Sequence, residues 1–451
     1  MSIPPFSFFL IFYVLFVFYK VKELKKFFLS VFTLTLIVST FVRMGYFFLI
    51  GDKIFLINSF LIYLTGSVAI IEIVKNKCKL INFSLLIVVL FFLTLSCLSS
   101  FFLPYDKLII TNFDHYLSTI NNYIIYSDYY SNVGHIKIGN ILTLSFSFIS
   151  VFFFLNIATK EILKKIFFKM LYWSKINVLY GLAECLNNNL LHSDFFISFS
   201  CGLFGRLELQ HDFLVERGGL YLIQGLCQEA SMYTFVLFYS SIIFLLSAFC
   251  FPDKKNTNLY LALTIFLFLV NPAFSGFVFL FLFIIIFYFC FYNVSNRKFF
   301  LNLFLCLTLM CGFLFILFII DSEILNRIRE MFVIINKYDK LLQYSSSGIR
   351  FIGIYECFRY FLDNPFLGVG LGLVNCDSAL CSSLACLGAG GTLCLLYFIY
   401  RISLYYKFCF RYCFFFLCTV VFPNVFLNSF ECLMLFVLPF ILVLYNIFYL
   451  R

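Results

Sequence analysis

From Pro5 to Leu450 the chain alternates long apolar runs with short polar breaks. Apolar residues are continuous within the runs, and most runs approach the about 17–25 residues that a helix needs to cross about 30 Å of hydrocarbon. Membrane strands would instead read as segments of about ten residues that alternate with period two. The pattern therefore predicts helical spans over Pro5–Tyr19, Phe27–Val42, Ile54–Val74, Ile81–Leu103, Ile138–Ala158, Met170–Cys185, Glu229–Phe251, Leu259–Val270, Gly276–Val294, Phe299–Ile320, Leu384–Tyr400, Cys413–Phe426 and Cys432–Leu450. Lys175 interrupts Met170–Cys185 and Leu259–Val270 is short, so roughly twelve to fourteen spans fit the run lengths. The expected fold class is all-α: one polytopic membrane domain over residues 1–451, with no internal repeat and no interdomain linker.

Composition excludes a water-soluble globule. Hydrophobic residues make up 63% of the chain and charged residues 12%, with 70 Phe, against about 45–50% and about 25% in soluble domains. The net charge of +10 has a pattern. Cations gather in alternate breaks: Lys20, Lys22, Lys25 and Lys26; Lys75, Lys77 and Lys79; Lys160, Lys164, Lys165 and Lys169; Lys254 and Lys255; Arg297 and Lys298; Arg401, Lys407 and Arg411. Lys and Arg are retained on the cytoplasmic side of short loops, so the N-terminus is expected outside and the C-terminus inside. The charge is then mostly topology, and nucleic acid is not an expected partner. Glu72 and Lys175, near inner-face ends of their runs, are expected to snorkel. The first run lacks a basic leader and a small-residue cleavage site, so it is read as retained.

Most of the 18 cysteines sit inside apolar runs, where they act as small hydrophobes. No C-x-x-C or H-x-x-H spacing occurs, and no metal is expected. Cys376, Cys381 and Cys386 lie on the outer side, where a disulfide is permissible.

Three outer breaks are long: Pro104–Lys137, Leu186–Gln228 and Asp321–Ser383. Loops beyond about 12–15 residues are usually functional or disordered, and these carry aromatics and isolated charges. In the third, "SSSGIRFIGIYECFRYFLDNP" (Ser345 to Pro365) begins with serines able to cap a helix, repeats apolar residues at helical spacing and stops at proline. An amphipathic helix is expected there, with Glu356, Arg359 and Asp363 on one face. The glycines that follow, Gly368, Gly370 and Gly372, form G-x-G-x-G without a lysine, so neither a dinucleotide fingerprint nor a P-loop is present. They are expected to let the chain turn closely against its neighbours, and Gly388, Gly390 and Gly391 are expected to serve packing in the next span.

An arginine, an amphipathic helix, "NPFLGVGLG" and then "GAGGT" at the start of a span resemble the motif-bearing half of the O-antigen polymerase and O-antigen ligase family of bacterial inner-membrane proteins. "GLCQEAS" (Gly225 to Ser231) looks like the family's Gly-Leu-x-x-Glu-Pro-Ser turn, with Ala230 in the proline position. "NPAFSG" (Asn271 to Gly276) is similar to its short serine-bearing outer turn. The resemblance covers Arg217 to Tyr400. At the ligase branch's histidine position this chain has Asp377, followed by Ser378 and, in register, Gly388 to Thr392, which favours the polymerase branch.

The resemblance implies a glycosyltransferase without cofactor in the bacterial inner membrane, N-terminus periplasmic and C-terminus cytoplasmic. It would join oligosaccharide repeat units carried on undecaprenyl pyrophosphate, with membrane lipid around it and a chain-length regulator as a further candidate partner. Such transfer needs cations for the leaving pyrophosphate, which arginine's planar fork suits. Arg350 and Arg217 lie nearest the motifs; Arg359 is a third candidate, although a surface ion pair with Glu356 or Asp363 is the commoner role for such a residue. The attacking hydroxyl needs a base, for which Glu229, Asp377 and His211 are available. Glu229 opens an apolar run, where an ionisable group is costly and is retained for function or pairing. The alternatives are a ligase transferring glycan to lipid A core and, in another class, a lipid-linked oligosaccharide flippase. A flippase should line its spans with cations and keep its outer loops short.

Overall fold

The computed structural model describes residues 3–41, 46–50, 53–76, 83–99, 138–205, 216–217, 220–227, 230–251, 256–271, 274–291, 354, 357–370, 378–404, 410–421 and 433–449. Helix accounts for 87% of them, which makes the class all-α. The helices are α1 (Pro5–Lys20), α2 (Leu24–Phe41), α3 (Ile57–Asn76), α4 (Phe83–Ser99), α5 (Ile138–Ile157), α6 (Lys160–Leu191), α7 (Phe195–Phe204), α8 (Ala230–Cys250), α9 (Thr257–Val270), α10 (Phe274–Ile286), α11 (Ala379–Ser403), α12 (Phe410–Phe416) and α13 (Leu433–Leu444). Helices α10, α12 and α13 each continue into a five-residue π-turn. Among the described residues, four helices are long and apolar enough to cross a membrane: Leu24–Phe41, Ile57–Lys75, Met232–Cys250 and Leu380–Ser403.

Local chemistry sets several helix ends. Pro4 is extended and Pro5 opens α1, where its missing N–H costs nothing. Thr159 caps α6 by accepting from the Ile162 N–H, and the helix closes on His192 in the left-handed region (φ 48°). Inside the helices, Thr35, Thr40, Ser147 and Ser150 turn their hydroxyls back to the carbonyl four residues earlier. Polar atoms are thereby satisfied without water, as a hydrocarbon solvent demands.

Helices α2, α3, α4, α5, α11 and α13 pack as one group; α6, α8, α9 and α10 form a second. Contacts of α2 with α6, and of the last π-turn with α8, join the two. Stacked rings fill the core, Phe32 on Phe154 at 4.1 Å and Phe415 on Tyr445 at 3.9 Å. On α1 the opposite side is apolar and exposed, with Phe9, Phe12 and Phe16 at 60–70%. An exposed phenyl face is the expected surface of a chain solvated by lipid.

The structure departs from the sequence expectations in specific places. Among the described residues there are two small antiparallel hairpins: β1 (Tyr46–Ile50) with β2 (Lys53–Leu56), and β3 (Glu216–Arg217) with β4 (Leu220–Tyr221). Residues 160–169, expected as an inner loop, are the first turns of α6. That helix runs unbroken for 32 residues, about 48 Å at 1.5 Å per residue. Two of its lysines lie over aromatic rings, Lys164 at 5.4 Å from the Phe251 centroid and Lys175 at 5.0 Å from that of Tyr260. Glu72, expected to snorkel, is 5% exposed. The stretch read as an outer loop over Leu186–Gln228 contains the end of α6, α7 and the second hairpin. Cys381 is half-buried and Cys386 buried in α11; Cys376, the break Pro104–Lys137 and the span Phe299–Ile320 lie outside the described residues.

Candidate functional site

The site grows from one face of α6. Asn177, Gly181, Glu184 and Asn188 are spaced by four, three and four residues, which stacks them on one side of a helix. All four are buried, and Glu184 and Asn188 have no exposed surface. A buried carboxylate is costly unless donors surround it. The segment that follows β4 supplies them: Glu184 Oε1 accepts from the Gln224 N–H (2.8 Å) and Oε2 from the Gly225 N–H (2.7 Å). Charge-assisted bonds of this kind are roughly twice as strong as neutral ones.

Neighbours clamp the same segment from other directions. Asn189 Oδ1 accepts from the Tyr221 N–H (2.9 Å), at the end of the hairpin that contains Arg217. Asn271 Nδ2 donates to the Ile223 carbonyl (3.0 Å). The Tyr233 hydroxyl donates to the Asn177 carbonyl (3.1 Å), and its ring lies so close to Gly181 and Gly225 that a Cβ at either would overlap it. Gly225 also has φ +59°, and the turn closes with Cys227 N–H to the Gln224 carbonyl (3.1 Å). A hydroxyl pair, Thr234 with Ser275 at 2.8 Å, ties the start of α8 to the start of α10. The "NPAFSG" stretch is thus hydrogen bonded to Ile223 and Thr234, which flank "GLCQEAS" on either side.

A second irregular segment surrounds α11. That helix is broken at Gly388 (φ 65°, ψ −176°), which leaves main-chain groups without helical partners. Residues 365–370 supply them. Val369 N–H donates to the Ala385 carbonyl (2.8 Å), Gly370 N–H to Cys386 (3.1 Å), Ala389 N–H to Pro365 (2.7 Å) and Gly390 N–H to Phe366 (3.2 Å). Gly368 (φ +68°) and Gly388 sit where any Cβ would overlap the facing main chain. Ser378 caps the first half of α11 by accepting from the Cys381 N–H at 3.3 Å. The expectation of glycines permitting close approach is met, and Gly388 does more than pack: it breaks the helix.

The sequence candidates fare unevenly. Glu229, Asp377, Arg350 and His211 lie outside the described residues. Cys227 and Ala230, on either side of the Gln228-Glu229 pair, are buried. Arg217 pairs through its backbone with Leu220 in the second hairpin. Arg359 is exposed on the helical residues 357–363, as is Asp363, while Cys357 and Tyr360 point inward. Phe358 and Leu362, apolar residues of the same helix, are exposed beside Arg359. Sequence reading missed Glu184 and Tyr233. The available signal was the spacing of Asn177, Gly181, Glu184 and Asn188 in an otherwise apolar stretch.

In comparison with known proteins, no family model and no curated protein sequence matches the chain.

Proposed function

We propose that the protein is a membrane glycosyltransferase of the O-antigen polymerase type, joining undecaprenyl-pyrophosphate-linked oligosaccharide units on the periplasmic face of the inner membrane. The observation that carries this reading is that the "NPAFSG" stretch is hydrogen bonded to both flanks of "GLCQEAS", Asn271 to Ile223 and Ser275 to Thr234. In this reading Arg217, Arg350 and Arg359 neutralise the departing pyrophosphate. Glu229 or Asp377 takes the proton of the attacking sugar hydroxyl, His211 contacts the glycan, and the polyprenyl tail stays in lipid beside the helix at 357–363.

Deletion of the gene, followed by electrophoresis of lipopolysaccharide, tests the reading. A single repeat unit per core is expected. Complete loss of capped core would instead mean a ligase, and accumulation of carrier-linked units on the cytoplasmic leaflet a flippase. Arg350→Ala and Glu229→Ala are expected to slow polymerisation by about 10²–10⁴-fold while the protein still inserts, the range for loss of a positioned acid, base or charge stabiliser.

A further inference from the structure

The exposed side chains of α6 change character at one point. Up to Lys169 they are Lys160, Glu161, Lys164, Lys165 and Lys169; beyond it they are Tyr172, Leu179, Leu186, Leu190 and Leu191. Within the helix no exposed charge follows that point and no exposed apolar residue precedes it. The apolar part, Tyr172 to Leu191, rises about 29 Å at 1.5 Å per residue, which matches the about 30 Å of bilayer hydrocarbon. Lys160–Lys169 then stand at headgroup depth, with Tyr172 at the boundary where aromatic side chains collect. Lys165, Tyr172, Leu179 and Leu186 follow one another at intervals of seven residues, just under two turns, so they form a single stripe along the helix. We infer that this stripe binds an anionic phospholipid: the lysines hold its phosphate headgroup, and an acyl chain lies along Tyr172, Leu179 and Leu186. The inference goes beyond the polymerase reading and does not depend on it or on the leaflet involved.

Charge selects a negative headgroup over a zwitterionic one. The first turns of α6 expose four lysines against the single acid Glu161. Those turns are seated on the bundle by Leu163, Ile166, Phe167 and Met170, all buried, so the lysines are presented by a packed helix instead of a loop. Lys20, Lys22 and Lys25, all exposed, add to the same end of the bundle: Phe28 of α2 meets Phe153 of α5 at 4.8 Å, close to where α5 ends and α6 begins. The acid of that turn, Glu23, is already paired with Lys26 at 2.8 Å. Basic clusters beside a membrane span attract anionic lipid in this way.

Trp173, the one tryptophan of the chain, adjoins Tyr172 and is half-buried, so its fluorescence reports on lipid at this place. Full-length protein is reconstituted in phosphatidylcholine vesicles, brominated phosphatidylglycerol or brominated phosphatidylcholine is added, and quenching is measured. The anionic lipid is expected to quench at about tenfold lower mole fraction. Salt at about 1 M, which shortens the screening length to about 3 Å, is expected to remove most of that preference. Lys164→Gln, Lys165→Gln and Lys169→Gln together are expected to abolish it and to leave quenching by brominated phosphatidylcholine unchanged, which shows that the variant is inserted. Arg at the same three positions is expected to keep the preference. Lys165→Gln and Lys169→Gln singly, each expected to lower it by about twofold or more, carry the test if the triple variant does not insert. Equal quenching by the two lipids in the wild type, or a preference that survives loss of the lysines, would overturn the inference. Displacement of the brominated lipid by undecaprenyl phosphate but not by unlabelled phosphatidylglycerol would overturn it too, and would make the surface a carrier site.

Discussion

The turn at 222–227 and the segment at 365–370 pose the same physical problem and solve it differently. Both are irregular backbone lying against apolar helices, where unpaired N–H and C=O groups cost several kcal/mol in hydrocarbon. At 222–227 the partners are side chains from distant elements: the Glu184 carboxylate and the amides of Asn189 and Asn271. At 365–370 the partners are main-chain groups of α11 released by its break at Gly388, and glycines allow the two backbones to touch. The first solution tolerates shape change only if every donor and acceptor keeps its partner. The second depends on the absence of a few Cβ atoms.

That contrast can be broken by mutation, and the effects should descend in order. Gly388→Ala adds left-handed strain to overlap with the Phe366 main chain; a loss of about 3–5 kcal/mol is expected. Thermal unfolding in detergent, followed by size-exclusion chromatography, would read it as loss of the monodisperse species, and an unaltered profile would show that α11 can close its break. Glu184→Ala leaves two buried amides without an acceptor, for an expected loss of about 2–5 kcal/mol. Recovery of near-normal stability would mean that other groups rescue the turn.

Smaller effects sharpen the comparison. Gly181→Ala drives a methyl into the Tyr233 hydroxyl and is expected to cost about 1–3 kcal/mol. Tyr233→Phe, which forfeits the bond to the Asn177 carbonyl, is expected to cost about 1 kcal/mol. The two together should cost less than their sum, because the second removes the atom the first collides with; strict additivity in a double-mutant cycle would rule out that contact. Least of all, Ser275→Ala is expected to cost about 0.6 kcal/mol, the typical value for a side-chain hydrogen bond between membrane helices. A loss several times larger would reveal that the two turns hold each other as a unit.

Much of the helical layout is legible from hydrophobic runs. The starts at Pro5 and Ile138 and the end at Val270 coincide with the runs, and Ala230 begins α8 one residue past the expected position. Desolvation explains this success: the cost of placing a side chain in lipid belongs to that residue, whatever its neighbours. The same reasoning fails for α6. Its lysines read as a break, yet over the rings of Phe251 and Tyr260 they continue a helix. The hairpins are too short to leave a periodicity.

For the site, local pattern was enough to single out the glycine-rich segments, because a required φ or a missing Cβ is written into one residue; the two turn motifs stood out by resemblance alone. Which groups meet across the bundle was decided only in three dimensions. Nothing near Glu184 in the chain names Gln224 and Gly225 as its donors, and nothing near Asn271 names the carbonyl of Ile223. A hydrogen bond needs its partner within about 3 Å, and that proximity is a property of the packed helices rather than of any stretch of sequence.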